Sequence, residues 1–185
     1  MSTVTYSMSV SLDGYVNDAD GEIDWHRVDD ELHQHFNDHD REVSCHVYGR
    51  RLYETMLVWE TLGDEPDADK VTREYARIWQ DIPKYVVSNT LSSVPEGFEV
   101  FGGDLEAELE ALKRKHDGEI TVGGATLAGS LMELGLVDEL RRYVVPVVIG
   151  GGTPYFTGDV DRLECTLLET RTFDTGVVLE RCAVG

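Results

Sequence analysis

The 185-residue chain is poor in lysine, in cysteine and in long apolar runs. Its only lysines are Lys70, Lys84, Lys113 and Lys115, and 36 acidic residues against 16 basic ones leave a formal charge of −20. Such a surface repels nucleic acid and anionic membranes, which excludes both as partners. A generic acidic surface and a salt-adapted one both fit that balance. No stretch approaches the roughly 18 apolar residues that would span a bilayer. The segment "MSTVTYSMSVSLDG" has no basic flank or cleavage pattern, so no signal peptide is expected. The three cysteines, Cys45, Cys165 and Cys182, are odd in number and set in apolar context. They read as buried thiols of a cytoplasmic protein, not as a disulfide framework or zinc site. Two common phosphate motifs are missing: no G-x-x-x-x-G-K-[ST], and no G-x-G-x-x-G at a first strand-to-helix turn.

What is present is an alternation of strand and helix signals. Residues 3–12 and 43–49 are rich in β-branched and apolar residues and read as strands. Residues 13–25 are acidic and carry two Asp-Gly pairs, the mark of a long loop. Val71, Tyr75, Ile78, Trp79 and Ile82 recur at helical spacing over 69–82. Further helices are expected over about 29–42, after Gly49, through Leu105, Leu109 and Leu112, and after Gly124 with Leu127, Leu131 and Leu134 as its apolar stripe. "KYVVS", Phe98–Phe101 and "EITV" read as short strands. "LRRYVVPVVI" reads as a strand whose Pro146 demands an edge or a bulge. Residues 162–173 and 176–184 read as a C-terminal hairpin turning at Asp174–Gly176. The pattern predicts one α/β domain over residues 1–185, with a mainly parallel sheet and an antiparallel edge hairpin.

In open parallel sheets, ligands sit at the carboxyl ends of strands. Three junctions there can hold an anion. Gly123, Gly124, Ala125 and Thr126 bring backbone N–H groups to a helix start with no Cβ in the way. Gly49, Arg50 and Arg51 offer two guanidinium forks in an otherwise acidic chain. Ser88, Asn89 and Thr90 add short polar side chains just past a strand. His35 and His39 lie one helical turn apart beside His33 and Asp38, a spacing that can hold a metal. No cysteine or further histidine completes a shell, so these residues read as a solvated polar face and no metal is expected.

"SVSLDGYV" at the first strand, "GRRLYETM" at 49–56, "VVSNTL" at 86–91, "ITVGGATLAGSLMELGLVDEL" at 120–140 and "PVVIGGGTPYF" at 146–156 together carry a family likeness. The sequence resembles the dihydrofolate reductase-like superfamily, and within it the reductase domain of bifunctional riboflavin biosynthesis enzymes. The resemblance implies a three-layer αβα sandwich, NADPH as hydride donor, a small heterocyclic substrate and a homodimer. It assigns the cofactor's pyrophosphate to Gly123–Thr126, its adenosine phosphate to the Arg50–Arg51 turn and its adenine ribose to the 88–90 segment. It also implies an acidic residue early on the first helix, matched by Asp30. That carboxylate is expected to be partly buried and proton-relaying, with substrate between Trp25, Asp30 and Tyr53 and the nicotinamide near the Asp13 loop. The 13–25 loop would close as a lid. The chain departs from the riboflavin enzymes in having Tyr15, Val16 and Asn17 where a basic residue is usual. It departs from dihydrofolate reductases in having Asp24 before Trp25. The rival readings are a riboflavin-pathway reductase proper, acting on 5-amino-6-(5-phosphoribosylamino)uracil, and a catalytically silent nucleotide-binding module.

Overall fold

Thr3–Ser11 forms β1 at the centre of an eight-stranded sheet in a computed structural model, which describes residues 2–91, 93–160 and 162–185. On β1, Val4, Tyr6 and Val10 are buried on one face, following the two-residue period of a strand. Its neighbours β6 (Glu119–Gly123) and β7 (Glu139–Val145) both run parallel to it. Beyond β6 lie β3 (Val43–Gly49), β4 (Lys84–Val87) and β5 (Phe98–Phe101), also parallel. Beyond β7 the hairpin of β9 (Cys165–Thr172) and β10 (Val178–Val184) is antiparallel, with β10 inside and β9 at the edge. A separate two-stranded ladder joins β2 (Tyr15–Asn17) to β8 (Thr153–Pro154).

Five α-helices cover the sheet: α1 (Asp30–Asp40), α2 (Arg50–Met56), α3 (Lys70–Asp81), α4 (Leu105–Lys115) and α5 (Ala125–Glu133). Aspartates start three of them: Asp29, Asp69 and Asp104 accept from the N–H groups of Leu32, Thr72 and Ala107. Each satisfies a donor that the helix leaves orphaned. α4 and α5 pack their leucines on Val4, Tyr6, Val47, Ile120 and Val122. α1, α2 and α3 cover the opposite face through Leu32, Tyr53, Tyr75 and Trp79. The result is the expected three-layer α/β sandwich. Among the described residues no helix is long and apolar enough to cross a membrane.

Several expectations are corrected. β7 is an interior strand and stops at Val145, just before Pro146, because a residue without an N–H cannot continue a ladder with partners on both sides. The 13–25 segment contributes β2, so it is not wholly loop. Leu134 follows α5 and is exposed instead of joining its apolar stripe. Of the cysteines only Cys45 is buried; Cys165 is exposed on the edge strand and Cys182 is intermediate.

The helix-α1 histidines are also turned inward. The sheet face beneath α1 presents Thr5, His46, Thr121 and Arg141, all buried, so a polar helix face packs there. His35 pairs with the Tyr143 hydroxyl at 3.1 Å, and His33 packs on the Trp59 and Tyr75 rings. His39 lies 3.0 Å from Asp40 and 3.2 Å from Glu119, whose carboxylate takes both guanidinium ends of Arg141. Burial works against a charged His39, but its bonds to Asp40 and Glu119 outweigh that and raise its pKa above 6.5. Burial likewise opposes a charged Glu119, yet His39 and Arg141 hold its pKa down at about 2.

The linkage signs follow. Glu119 contributes stability that is present above its unfolded value of 4.5 and lost as pH falls toward about 2. His35, pulled down by burial to about 4, makes the fold weaken as pH falls from 6.5 toward that value. His39 contributes stability that is full below 6.5 and lost as pH rises through its folded value. Urea midpoints measured across this range are therefore expected to peak near neutrality, and His39→Gln is expected to flatten the alkaline arm. An unchanged alkaline arm in that variant would rule out the His39 clamp as its source.

Candidate cofactor and substrate site

Because β5, β4, β3, β6, β1 and β7 are all parallel, their carboxyl ends share one edge of the sheet. Gly123 ends β6 and Gly124 caps α5 without a side-chain hydrogen bond, so the first N–H groups of α5 have no capping side chain among the described residues. Beside them Gly49 ends β3: a Cβ on Gly124 would lie 3.5 Å from the Gly49 nitrogen. Arg50 then reaches across to the next strand end, donating from Nη1 to the Thr90 hydroxyl at 2.7 Å and from Nε to Glu54 at 2.9 Å. The Ser88 hydroxyl accepts from the N–H groups of Thr90 and Leu91 and folds that turn. The three junctions chosen from sequence are thus brought together as one continuous rim. Arg51 is exposed, and its guanidinium has no partner among the described residues.

The glycine pair has fold-level causes as well. A Cβ on Gly123 would meet Leu52 Cδ2 at 2.3 Å, and Gly124 holds φ at +103°, a conformation that L side chains rarely adopt. Gly102, past the end of β5, was missed by sequence reading. A Cβ there would stand 2.7 Å from Asn89 Oδ1, so it extends the rim against the 88–90 turn. Its only sequence signal was the pair Gly102–Gly103 after a short strand.

At the other end of the edge, Asp13 follows β1. Its carboxylate accepts from the Ser11 hydroxyl at 2.7 Å and from the N–H groups of Ile149 and Gly150 at 3.2 and 2.8 Å. These bonds, the Ser11 hydroxyl first, hold its pKa below the usual carboxylate range. Asp13 therefore ties the end of β1 to the Gly150–Gly152 loop after β7. That loop is seated against β2, since a Cβ on Gly152 would fall 1.8 Å from the Asn17 carbonyl oxygen.

Trp25, Asp30 and Tyr53 do not converge as expected. Trp25 packs with Leu32, Tyr143, Val145 and Phe173. Tyr53 is buried in a different cluster, edge-on to Phe98 at 5.1 Å, and burial raises its pKa. Asp30 is exposed on the first turn of α1, because Asp29 takes the capping role and Glu31 the pairing with the C-terminal hairpin. Glu31 accepts from Arg171 at 2.7 Å and from the Asp174 N–H at 3.0 Å. The partly buried carboxylate anticipated at Asp30 is therefore absent. Two shallow surface hollows, one beside Lys113 and His116 and one beside Lys84 and Phe98, lie at the opposite, amino edge of the sheet.

A central parallel sheet, helices on both faces, an antiparallel C-terminal hairpin and a glycine-lined carboxyl edge define a dihydrofolate reductase-type sandwich. The fold of Enterococcus faecalis dihydrofolate reductase, solved with NADP(H), matches it with a TM-score of 0.66 at 18% identity, covering 99% of this chain and 96% of that one. Residues 2–179 match the model of the RibD C-terminal domain, and the chain belongs to that family. A candidate riboflavin biosynthesis protein from Shewanella superposes with a TM-score of 0.77 at 23% identity, over 100% of this chain and 99% of that one. Among curated proteins, the uncharacterized Bacillus subtilis protein YyaP is 30% identical over 176 residues, which is 95% of this chain and 91% of the relative.

Proposed function

We propose that this chain is an NADPH-dependent reductase that transfers a hydride to a small heterocyclic substrate, such as a pterin or a pyrimidine, in the cytoplasm. The observation that carries the reading is the continuous rim formed by Gly123–Gly124, Gly49–Arg50 and Ser88–Thr90. The residues fit the cofactor. The uncapped start of α5, Ala125 and Thr126 included, suits a pyrophosphate, since its free N–H groups and the helix dipole both favour an anion. Arg50 and Arg51 suit an adenosine phosphate, and Ser88 and Asn89 a ribose edge. When bound, the dinucleotide supplies the hydride; the protein supplies orientation and water exclusion. The 13–25 loop would cover the reacting end, with Asp13 fixing its base.

Titration with NADPH, read by cofactor fluorescence, tests this directly. Saturation below millimolar concentration is the expected result, and no binding at millimolar cofactor would sink the reading. Membership of the RibD C-terminal domain family favours a narrower version, reduction of 5-amino-6-(5-phosphoribosylamino)uracil. The exposure of Asp30 favours a catalytically silent nucleotide-binding module instead. Oxidation of NADPH in the presence of pterin and pyrimidine probes separates the enzymatic readings from the silent one. The same proposal takes the chain as a homodimer, with Leu167 and Leu168 on exposed β9 as apolar surface to be covered.

A further inference from the structure

Two of the three cysteines meet on the C-terminal hairpin. Cys165 opens β9 opposite Val184 of β10, and Cys182 of β10 lies opposite Leu167 of β9. Side chains two residues apart on a strand share a face, so Cys165 and Cys182 are diagonal neighbours on one face of the hairpin. The Gly185 N–H donates to the Glu164 carbonyl, which makes Cys165–Val184 and Leu167–Cys182 the closely approaching, non-hydrogen-bonded pairs. On its inner side Cys182 pairs with Leu140, so both thiols lie on the face covered by α4 and α5. Cys165 is exposed and Cys182 half-buried, whereas Cys45 is wholly enclosed on β3. Cys165 Sγ has one contact among the described residues, 4.0 Å from the Leu163 carbonyl oxygen. Burial raises the pKa of Cys182, and the charge of Cys165 raises it further, as expected of two sulfurs near enough to feel one another.

Spacing decides what such a pair can hold. Diagonal neighbours across an antiparallel pair have Cα atoms about 7–8 Å apart, and a disulfide needs them within about 7 Å. An S–S bond here would shift the backbone, and β10 is held by ladders on both sides. An ion between the sulfurs removes that conflict. With each sulfur about 2.3 Å from a thiophilic metal, the two sulfurs stand more than about 4 Å apart, roughly twice the S–S bond length. Among the described residues no three His, Cys, Asp or Glu side chains are grouped to hold a metal, so the ion must accept two ligands. Zinc takes four, and calcium and magnesium take oxygen. A soft monovalent ion of the copper(I) type accepts two thiolates in line, and thiolate ligands select it. Arg142, paired with Glu180, favours the Cys182 thiolate and offsets the negative charge that the site acquires.

We propose that Cys165 and Cys182 form a two-coordinate site, within one chain, for a soft monovalent cation of the copper(I) class. Two S–H bonds break, two S–Cu bonds form and two protons leave to solvent; no electron is transferred, and the bound unit carries one negative charge. The ion ties the first residue of β9 to the last turn of the chain on β10, at the open end of the edge hairpin. The site stands on the hairpin register and is independent of the reductase reading.

The test titrates the reduced, intact chain anaerobically with copper(I) held by the coloured chelator bicinchoninate, with the mass in solution recorded at each step. The chain is expected to withdraw one copper per molecule at unchanged oligomeric mass. Cys165→Ser and Cys182→Ser should each weaken binding by about a hundredfold, the scale of losing one of two thiolate ligands, while Cys45→Ala leaves it unchanged. Thermal unfolding without copper should stay close to the parent in both serine variants, since neither thiol is fully buried. Copper should raise the midpoint of the parent only, because it binds the folded hairpin. No withdrawal of copper from the chelator overturns the proposal, as does parental affinity in either serine variant. A rise in oligomeric mass on adding copper, abolished by Cys165→Ser, would put the ion between two chains and overturn the site within one. Resistance of both thiols to alkylation in the folded, copper-free protein would show the face covered and overturn it as well.

Discussion

Arg141→Met is expected to destabilise the fold by about 3 kcal/mol, the cost of leaving a buried ionic partner uncompensated. Arg141 is only 5% exposed, and both its guanidinium ends donate to Glu119, at 2.5 and 3.1 Å. Removing it leaves a carboxylate beneath α1 with only His39 and the Thr121 hydroxyl as its remaining partners among the described residues. The hydrophobic area that methionine restores is smaller than that penalty, because Thr5 and Thr121 make the surroundings polar. Urea unfolding at neutral pH measures it. The double variant Arg141→Met, Glu119→Gln should regain most of the loss, since removing both charges also removes the unpaired one. If the double variant is no better than the single one, Arg141 acts through packing and not through the pair.

The second large effect is on the cofactor. Charge reversal at both Arg50 and Arg51 is expected to weaken NADPH binding by about a hundredfold, the scale of two charge-assisted contacts to phosphate oxygens turned repulsive. Both side chains are exposed, so the urea midpoint should barely move. Arg50 also braces Thr90 and Glu54, so its replacement mixes binding with rim geometry. Arg51 makes no such contact among the described residues, and Arg51→Glu alone is the cleaner probe. Added salt should weaken binding to the parent protein more than to the variant. Unchanged affinity in Arg51→Glu would remove that residue from the cofactor site.

Much of this architecture is legible in the sequence because it rests on local chemistry. The two-residue alternation of Val4, Tyr6 and Val10 marks a strand. The spacing of Tyr75 and Trp79 marks a helix face, and both are buried in α3. Asp29, Asp69 and Asp104 start helices because a short carboxylate reaches an orphan N–H two or three residues on. The three junctions proposed for the cofactor could be named because strand ends and helix starts are local events, and a parallel sheet aligns them.

What escaped were the features that depend on which chain segment lies opposite. Nothing in "HQHFNDH" says that its histidines face a polar sheet surface; that depends on Thr5, Glu119 and Arg141 arriving from three strands far apart in sequence. Asp29, Asp30 and Glu31 are equivalent as letters, and only the docking of Arg171 and Asp174 against Glu31 leaves Asp30 facing water. The glycine pair at 123–124 illustrates both halves. Its place between a strand and a helix follows from local spacing. Its need for glycine comes from Leu52 pressing on Gly123 and from the backbone turn at Gly124. Gly124→Val is therefore expected to cost folding as well as cofactor affinity. The sequence by itself determined the alternation of strands and helices, the helix starts and the acidic surface, since each depends on residues within a few positions. The tertiary structure alone decided which polar groups are buried together and which carboxylates remain free, since side chains distant in the chain compete for the same partners.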